Sequence, residues 1–135
     1  MKVNISIVFN NDEDKVLMCF RENNPYKGMY NFVGGKKEKK ETDLEGAYRE
    51  LFEETGITKN DIHLTHLMNY NYLINDLELQ IYVGKLNKEV KLVEEKNKLY
   101  WIETTENFFD LKKFAGEGNI GHMMEQVKLY KKNLL

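Results

Sequence analysis

Glu50, Glu53 and Glu54 stand three and four residues apart in Asp43–Thr55, a stretch in which Leu44, Ala47, Tyr48, Leu51 and Phe52 also recur at helical spacing. At roughly 100° per residue the three carboxylates fall on one helix face. The same pattern predicts that Leu44, Ala47, Leu51 and Phe52 face the core from the opposite side. Like charges so placed cost a helix about a few tenths of a kcal/mol per pair, so the arrangement does not serve the helix itself. Hard oxygen donors at close quarters are what Mg²⁺ takes, together with phosphate oxygens and water. Gly34 and Gly35, just upstream, let the backbone approach closely, so a main-chain carbonyl there is a candidate further ligand. The alternative is a solvated helix face, the commoner fate of glutamates.

The segment Gly35–Ile57 resembles the Nudix box, G-x5-E-x7-R-E-U-x-E-E-x-G-U with U aliphatic. Gly35, Glu41, Arg49, Glu50, Leu51, Glu53, Glu54, Gly56 and Ile57 fill all nine specified positions. At background usage of about 5–8% per residue type, a chance match at a given start is on the order of 10⁻⁹. The resemblance implies an α+β fold, the Nudix α/β/α sandwich of a mixed sheet, a loop–helix–loop and a C-terminal helix. It also implies hydrolysis of a nucleoside diphosphate linked to another moiety, with Mg²⁺ or Mn²⁺. By the same analogy Glu53 and Glu54 ligate the metal, and Glu50 is a further ligand or the base for the attacking water. The Gly34 carbonyl completes the ligand set. An ion pair of Arg49 with Glu41 holds the loop against the helix and orients the catalytic carboxylates. Lys36 touches a phosphate. The downstream glutamate that family members often supply is read as Glu95, with Glu94 as its neighbouring alternative and a solvated loop as the competing reading.

Two further segments resemble the MutT-like branch. Tyr30-Asn31-Phe32-Val33-Gly34-Gly35-Lys36 is similar to its aromatic-Asn-x-x-Gly-Gly-Lys run, where the asparagine contacts the purine edge. Phe114-Ala115-Gly116-Glu117 is similar to a segment whose ring lies against the purine and whose two acids read its edge. Glu117 fills one acidic place and Gly116 leaves the other empty. An equally weighted reading makes Phe114 a core residue and Gly116–Asn119 the cap of the last helix. The substrate expectation is a nucleoside triphosphate, such as an oxidised purine of the 8-oxo-dGTP kind, cleaved to nucleoside monophosphate and pyrophosphate. The alternatives are ADP-ribose or another nucleoside diphosphate derivative, an RNA 5′ end, and a non-catalytic nucleotide-binding regulator. The chain begins directly with a strand, without the preceding segment usual in the ADP-ribose branch, and its box glutamates are intact, which a regulator typically loses.

The elements that must position these residues are legible from periodicity. Val3, Ile5, Ile7 and Phe9 alternate with polar Lys2, Asn4 and Ser6 as in a half-buried strand, and a turn leads to a second strand over Val16–Phe20. Glu22–Gly28, with the sole proline Pro25, reads as a loop, and Asn31-Phe32-Val33 as a short strand. Thr42 or Asp43 can cap the glutamate-bearing helix, and Gly56 stands where it should stop. Ile62, Leu64, His66, Met68, Tyr70 and Tyr72 alternate, then Leu77, Leu79, Ile81 and Val83, predicting a long hairpin. Lys98–Ile102 is one more strand, and Ile120, Met123, Met124 and Val127 mark a closing helix with Lys128, Lys131 and Lys132 in its last turns.

With 135 residues, a single domain over 1–135 is expected. The net charge of −2 gives no basic face for coating nucleic acid. One cysteine, Cys19, excludes an internal disulfide and reads as a small core residue. His63, His66 and His122 lack ligand spacing. No apolar run approaches the roughly 20 residues of a membrane span, and none follows the opening lysine as in a signal peptide. A cytoplasmic monomer or homodimer acting on a nucleotide is the expectation.

Overall fold

The central strand is β1 (Lys2–Phe9), and it is buried on both faces. Ile5, Ile7 and Phe9 enter one hydrophobic cluster and Val8 enters the other. The side chains of Asn4 and Ser6, read from the sequence as a solvent face, are buried at 2% and 1% exposure. The reason is a second layer that covers that side of the sheet.

The computed structural model describes residues 1–135. The remaining strands are β2 (Lys15–Phe20), β3 (Tyr30–Asn31), β4 (Val33–Lys36), β5 (Thr65–Tyr72), β6 (Leu77–Lys85) and β7 (Lys98–Glu103). They form one mixed sheet in the order β3-β2-β1-β6-β5, with β4 also on β1 and β7 also on β2. β1 and β6 run parallel along their whole length, from Lys2 opposite Glu78 to Phe9 opposite Lys85. The other edge of β1 is shared: Val3–Ser6 pair with β4, and Phe9 pairs with Val16 of β2. The β4 contact requires glycine, because a Cβ on Gly34 would lie 1.9 Å from the Asn4 carbonyl oxygen.

Helix α1 (Asp43–Thr55) covers one face and helix α2 (Asn119–Leu134) the other, giving an α/β/α sandwich. α1 is bounded as its sequence predicts. Thr42 Oγ1 accepts from Glu45 N at 3.1 Å, and the Glu45 carboxylate accepts from Thr42 N at 2.8 Å, which closes a capping box. Gly56 ends the helix at φ +79°, its N–H donating to Phe52 O at 2.9 Å. α2 buries Ile120, Met123, Met124, Val127 and Leu134.

Two features depart from the sequence pattern. Leu44 and Phe52 do not face the core; they are 42% and 55% exposed. The side of α1 against the sheet is the arc carrying Gly46, Ala47, Leu51 and Thr55. At roughly 100° per residue that arc also holds Glu50 and Glu54 and leaves Phe52 beyond its rim. Apolar and acidic residues therefore share one side of the helix instead of opposing each other. In β5 the pairing shifts between His66 and Met68. Ile62 and Leu64 belong to the α1-side cluster and His66 stacks on Tyr82, whereas Met68 and Tyr70 pack on the α2 side. A one-residue slip exchanges faces, so a continuous alternation in sequence conceals the irregularity.

Candidate active site

The glycine-rich β4, the loop after it and α1 are fastened together by one guanidinium. Arg49 Nε and Nη2 donate to the two Glu41 carboxylate oxygens at 2.9 and 2.8 Å, and Nη2 also reaches Lys36 O at 2.9 Å. Its Nη1 donates to Glu50 Oε1 at 3.0 Å and Glu53 Oε2 at 3.1 Å. A forked Arg–carboxylate pair fixes orientation as well as charge. The Glu41 carboxylate also accepts from Glu38 N at 2.7 Å, so the loop closes on itself. Hydrogen bonding from Arg49 holds the Glu41 carboxyl down at about 2, against an ordinary 4.5.

That depression has a sign that can be checked. A carboxyl with a lower pKa in the fold than in the unfolded chain contributes stability above about pH 4.5, and the contribution is lost as pH falls towards 2. Glu41→Gln is expected to lower stability at pH 7 by about 1.5–3 kcal/mol, the worth of a hydrogen bond to a charged group. Thermal unfolding followed from pH 7 to pH 2 should show the wild-type advantage shrinking below about pH 4.5. A difference constant over that range would contradict it.

Glu50, Glu53, Glu54 and Glu95 line one cleft of about 140 Å³, together with Cys19, Lys96, Asn97 and Leu99. Their surroundings differ. Glu53 is half exposed, its side chain at 48%, whereas that of Glu50 is at 16%. The Glu50 carboxyl also occupies the space above Gly35, where a Cβ would lie 2.3 Å from its carboxyl carbon. Glu54 reaches toward β4 and accepts from Gly34 N at 3.2 Å. Burial pushes its carboxyl up to about 7, and the charges of Glu50 and Glu95 add to the rise, while the Gly34 N–H and Arg21 oppose it. Burial likewise raises the Cys19 thiol to about 11, with Glu54 adding to it.

Of the two downstream candidates, Glu95 lines the cleft, whereas Glu94 turns away and accepts from Leu99 N at 2.7 Å. Gly34 meets the acidic set here through its N–H. Lys36 is exposed and lines neither this cleft nor the larger cavity described next; its carbonyl, not its ammonium, has the recorded role.

The larger cavity, about 510 Å³, opens between the sheet and the start of α2. Val3, Ile5, Leu77, Leu79, Ile120 and Met123 form its apolar wall, and Arg21, Tyr26, Asn31, Glu117 and Asn119 are at its polar side. It lies one pairing step from the acidic cleft, since Asn31 of this cavity is opposite Cys19 of the other in the β2–β3 ladder. Chain segments far apart in sequence build its rim. Tyr30 N donates to Lys113 O and Ala115 N to Tyr30 O, both at 2.9 Å, which brings Ala115–Glu117 alongside β3. The Tyr26 hydroxyl donates to Glu117, at 2.8 Å to Oε2 and 3.0 Å to Oε1.

Asn31 and Glu117 thus both line this one cavity. Of the two readings of Phe114 the core one holds: at 2% exposure, packed against Phe108 with ring centroids 5.1 Å apart, its ring belongs to the core and has no free face for a base. Pairing of its neighbours with Tyr30 turns the ring inward. Gly116 explains its own departure from the two-acid pattern, because φ +87° is a conformation that a side chain there would strain. Sequence reasoning missed Arg21 and Tyr26. The first closes a strand and the second sits in a polar loop, and neither position carries a periodic signal.

Hard carboxylate donors around one cleft, with Glu54 buried short of countercharge, suit a divalent cation. Arg49 donates to Glu50 and Glu53 and so supplies countercharge to that face, and no three of the acids converge on one point. No helix is long and apolar enough to cross a membrane.

Residues 1–122 match the NUDIX domain family. A 45-residue stretch is 44% identical to an ADP-ribose pyrophosphatase of Methanocaldococcus jannaschii, covering 33% of this chain and 27% of that protein. The match therefore spans about a quarter of the curated relative's length. Among solved structures, a C. elegans Ap4A hydrolase superposes with a TM-score of 0.77 at 16% identity, over 98% of both chains. A MutT NUDIX hydrolase from Burkholderia pseudomallei gives 0.69 at 19% identity, over 93% of this chain and 96% of that one. At such identities the likeness is one of fold.

Proposed function

The chain belongs to the NUDIX family, and from that membership we propose that it hydrolyses a phosphoanhydride bond of a nucleoside triphosphate, releasing nucleoside monophosphate and pyrophosphate. The observation that carries this reading is the placing of Glu50, Glu53, Glu54 and Glu95 around one cleft, a pairing step from a largely apolar cavity sized for a nucleoside. Mg²⁺ or Mn²⁺, when bound, neutralises phosphate oxygens and lowers the pKa of a bound water. Glu53, Glu54 and Glu95, with the Gly34 carbonyl, would hold it, and Glu50 shares that face as ligand or base.

The chain's own residues do the rest. Arg49 keeps the carboxylate-bearing helix and the β4 loop in register through Glu41. Arg21 belongs to the cavity lining and its charge is felt by Glu54, so it stands where phosphates would cross from cavity to cleft. Asn31 and Glu117 face the base, and Lys36, which is exposed, is available to a phosphate from outside the cavity. Water attacks phosphorus, the bridging P–O bond breaks, and the water's proton leaves through the acidic face.

A second reading, a pyrophosphatase of ADP-ribose or a related diphosphate, is supported by the 44% identity to the archaeal enzyme. One panel separates the readings: GTP, ATP, 8-oxo-dGTP, Ap4A and ADP-ribose with Mg²⁺, products resolved by chromatography. A triphosphate should be turned over at least about tenfold faster than ADP-ribose, a difference that about 1.4 kcal/mol in the barrier provides. ADP-ribose as the fastest substrate would replace the first reading by the second.

A further inference from the structure

We infer that Tyr26 is a positioning residue for base selection: it holds the Glu117 carboxylate over the larger cavity, aimed at ring N–H donors of the substrate. The inference rests on the nucleotide reading proposed above and concerns a residue that the box does not contain. Glu117 is the one acidic side chain among those lining the cavity, and Arg21 the one basic side chain. Two of the neighbouring amides are each engaged through one atom, Asn31 Oδ1 accepting from Phe32 N at 2.9 Å and Asn119 Nδ2 donating to Tyr72 Oη at 2.5 Å. The one ionised acceptor that can read a ring edge there is the Glu117 carboxylate, and its present partner is the Tyr26 hydroxyl, which lies within hydrogen-bond distance of both oxygens.

The backbone indicates that this contact serves more than the fold. Tyr26 and Glu117 are non-glycine residues at φ +67° and φ +52°, and Glu117 lies between Gly116 at +87° and Gly118 at +94°. Two side chains are thus brought face to face from left-handed backbones 91 residues apart. Glu117 is exposed, and an exposed hydrogen bond stabilises a fold too little to account for two such conformations. Strain of this kind gathers at ligand clamps. Burial, together with Glu117, pushes the Tyr26 hydroxyl up to about 12, so it remains a donor through the neutral range.

The chemistry selects the ligand class. An ionised carboxylate only accepts. The one Tyr26 proton leaves most of the carboxylate's lone pairs unused, and these meet an N–H on the base, as guanine-type rings present. An adenine-type edge offers a ring-nitrogen lone pair at the corresponding place, and two acceptors repel.

The test is steady-state hydrolysis of GTP and ATP with Mg²⁺ by the wild type, Tyr26→Phe, Glu117→Gln and the double variant, each checked by its melting temperature. Tyr26→Phe is expected to raise KM for GTP about tenfold, as loss of one hydrogen bond to a charged group would, with kcat within about twofold and reduced preference for GTP over ATP. Because Tyr26 acts through Glu117, the double variant should match Glu117→Gln alone. Unchanged KM and preference in Tyr26→Phe, or its full effect persisting when Glu117 is already Gln, overturns the inference alone. A wild type that turns over none of GTP, ATP and 8-oxo-dGTP overturns the functional reading and this inference with it.

Discussion

Glu53→Gln is expected to keep the fold and lose about a thousandfold in kcat. Several kcal/mol of charge stabilisation at the phosphoryl group depends on a held cation, and each 1.36 kcal/mol is about a factor of ten. Glu53 suits the experiment because little else depends on it. Its side chain is 48% exposed, and its recorded contact is one i,i+4 pair with Arg49 at 3.1 Å. Such pairs are worth about 0.3–0.5 kcal/mol, and glutamine keeps the length and an acceptor oxygen. Arg49 meanwhile remains fixed by its two bonds to Glu41. The melting temperature should therefore shift by no more than about 2 °C. A variant within tenfold of the wild type would remove Glu53 from the metal-binding role. Equal, low turnover by both proteins would instead favour a nucleotide-binding regulator, which needs the cavity without the chemistry.

How much of this was readable beforehand follows from the range of the interactions. α1 and its ends were legible because capping is local: Thr42, Glu45 and Gly56 lie within or beside the helix they bound. The box was legible because chemistry ties Gly35, Glu41 and Arg49 to fixed spacings. Gly35 must leave room for the Glu50 carboxyl, and Glu41 must reach a guanidinium one helix turn before Glu53. What failed or stayed open was non-local. Phe52 looked like a core residue because periodicity cannot say how wide an arc the sheet will take. Phe114 looked equally suited to a core or a base, and only the pairing of Tyr30 with residues 113 and 115 decides. The choice between Glu94 and Glu95 turns on a single hydrogen bond to Leu99 N. The Tyr26–Glu117 contact joins loops that no window of sequence contains together.

Stripping divalent cations with EDTA is expected to take turnover below about a thousandth of its value, and Mg²⁺ or Mn²⁺ should restore it. The reason lies in the cleft's own charge. Glu50, Glu53, Glu54 and Glu95 surround it, and Arg49 already divides its charge among Glu41, Glu50 and Glu53. A polyphosphate approaching this face meets like charge at a few ångströms, where two unit charges repel by about 4 kcal/mol at the effective dielectric of a protein surface. By themselves the carboxylates oppose the reaction they are proposed to serve. The same imbalance gives a readout that needs no substrate. Binding to the folded state alone stabilises by about 2.7 kcal/mol at a hundredfold excess over Kd. For a chain of this length that is a rise of roughly 5–10 °C in melting temperature on adding Mg²⁺ or Mn²⁺. Glu53→Gln should show a smaller rise at the same concentration, since one donor is gone. Full turnover in EDTA, or an equal thermal response in both proteins, would mean that the four acids gather for a reason other than a cation.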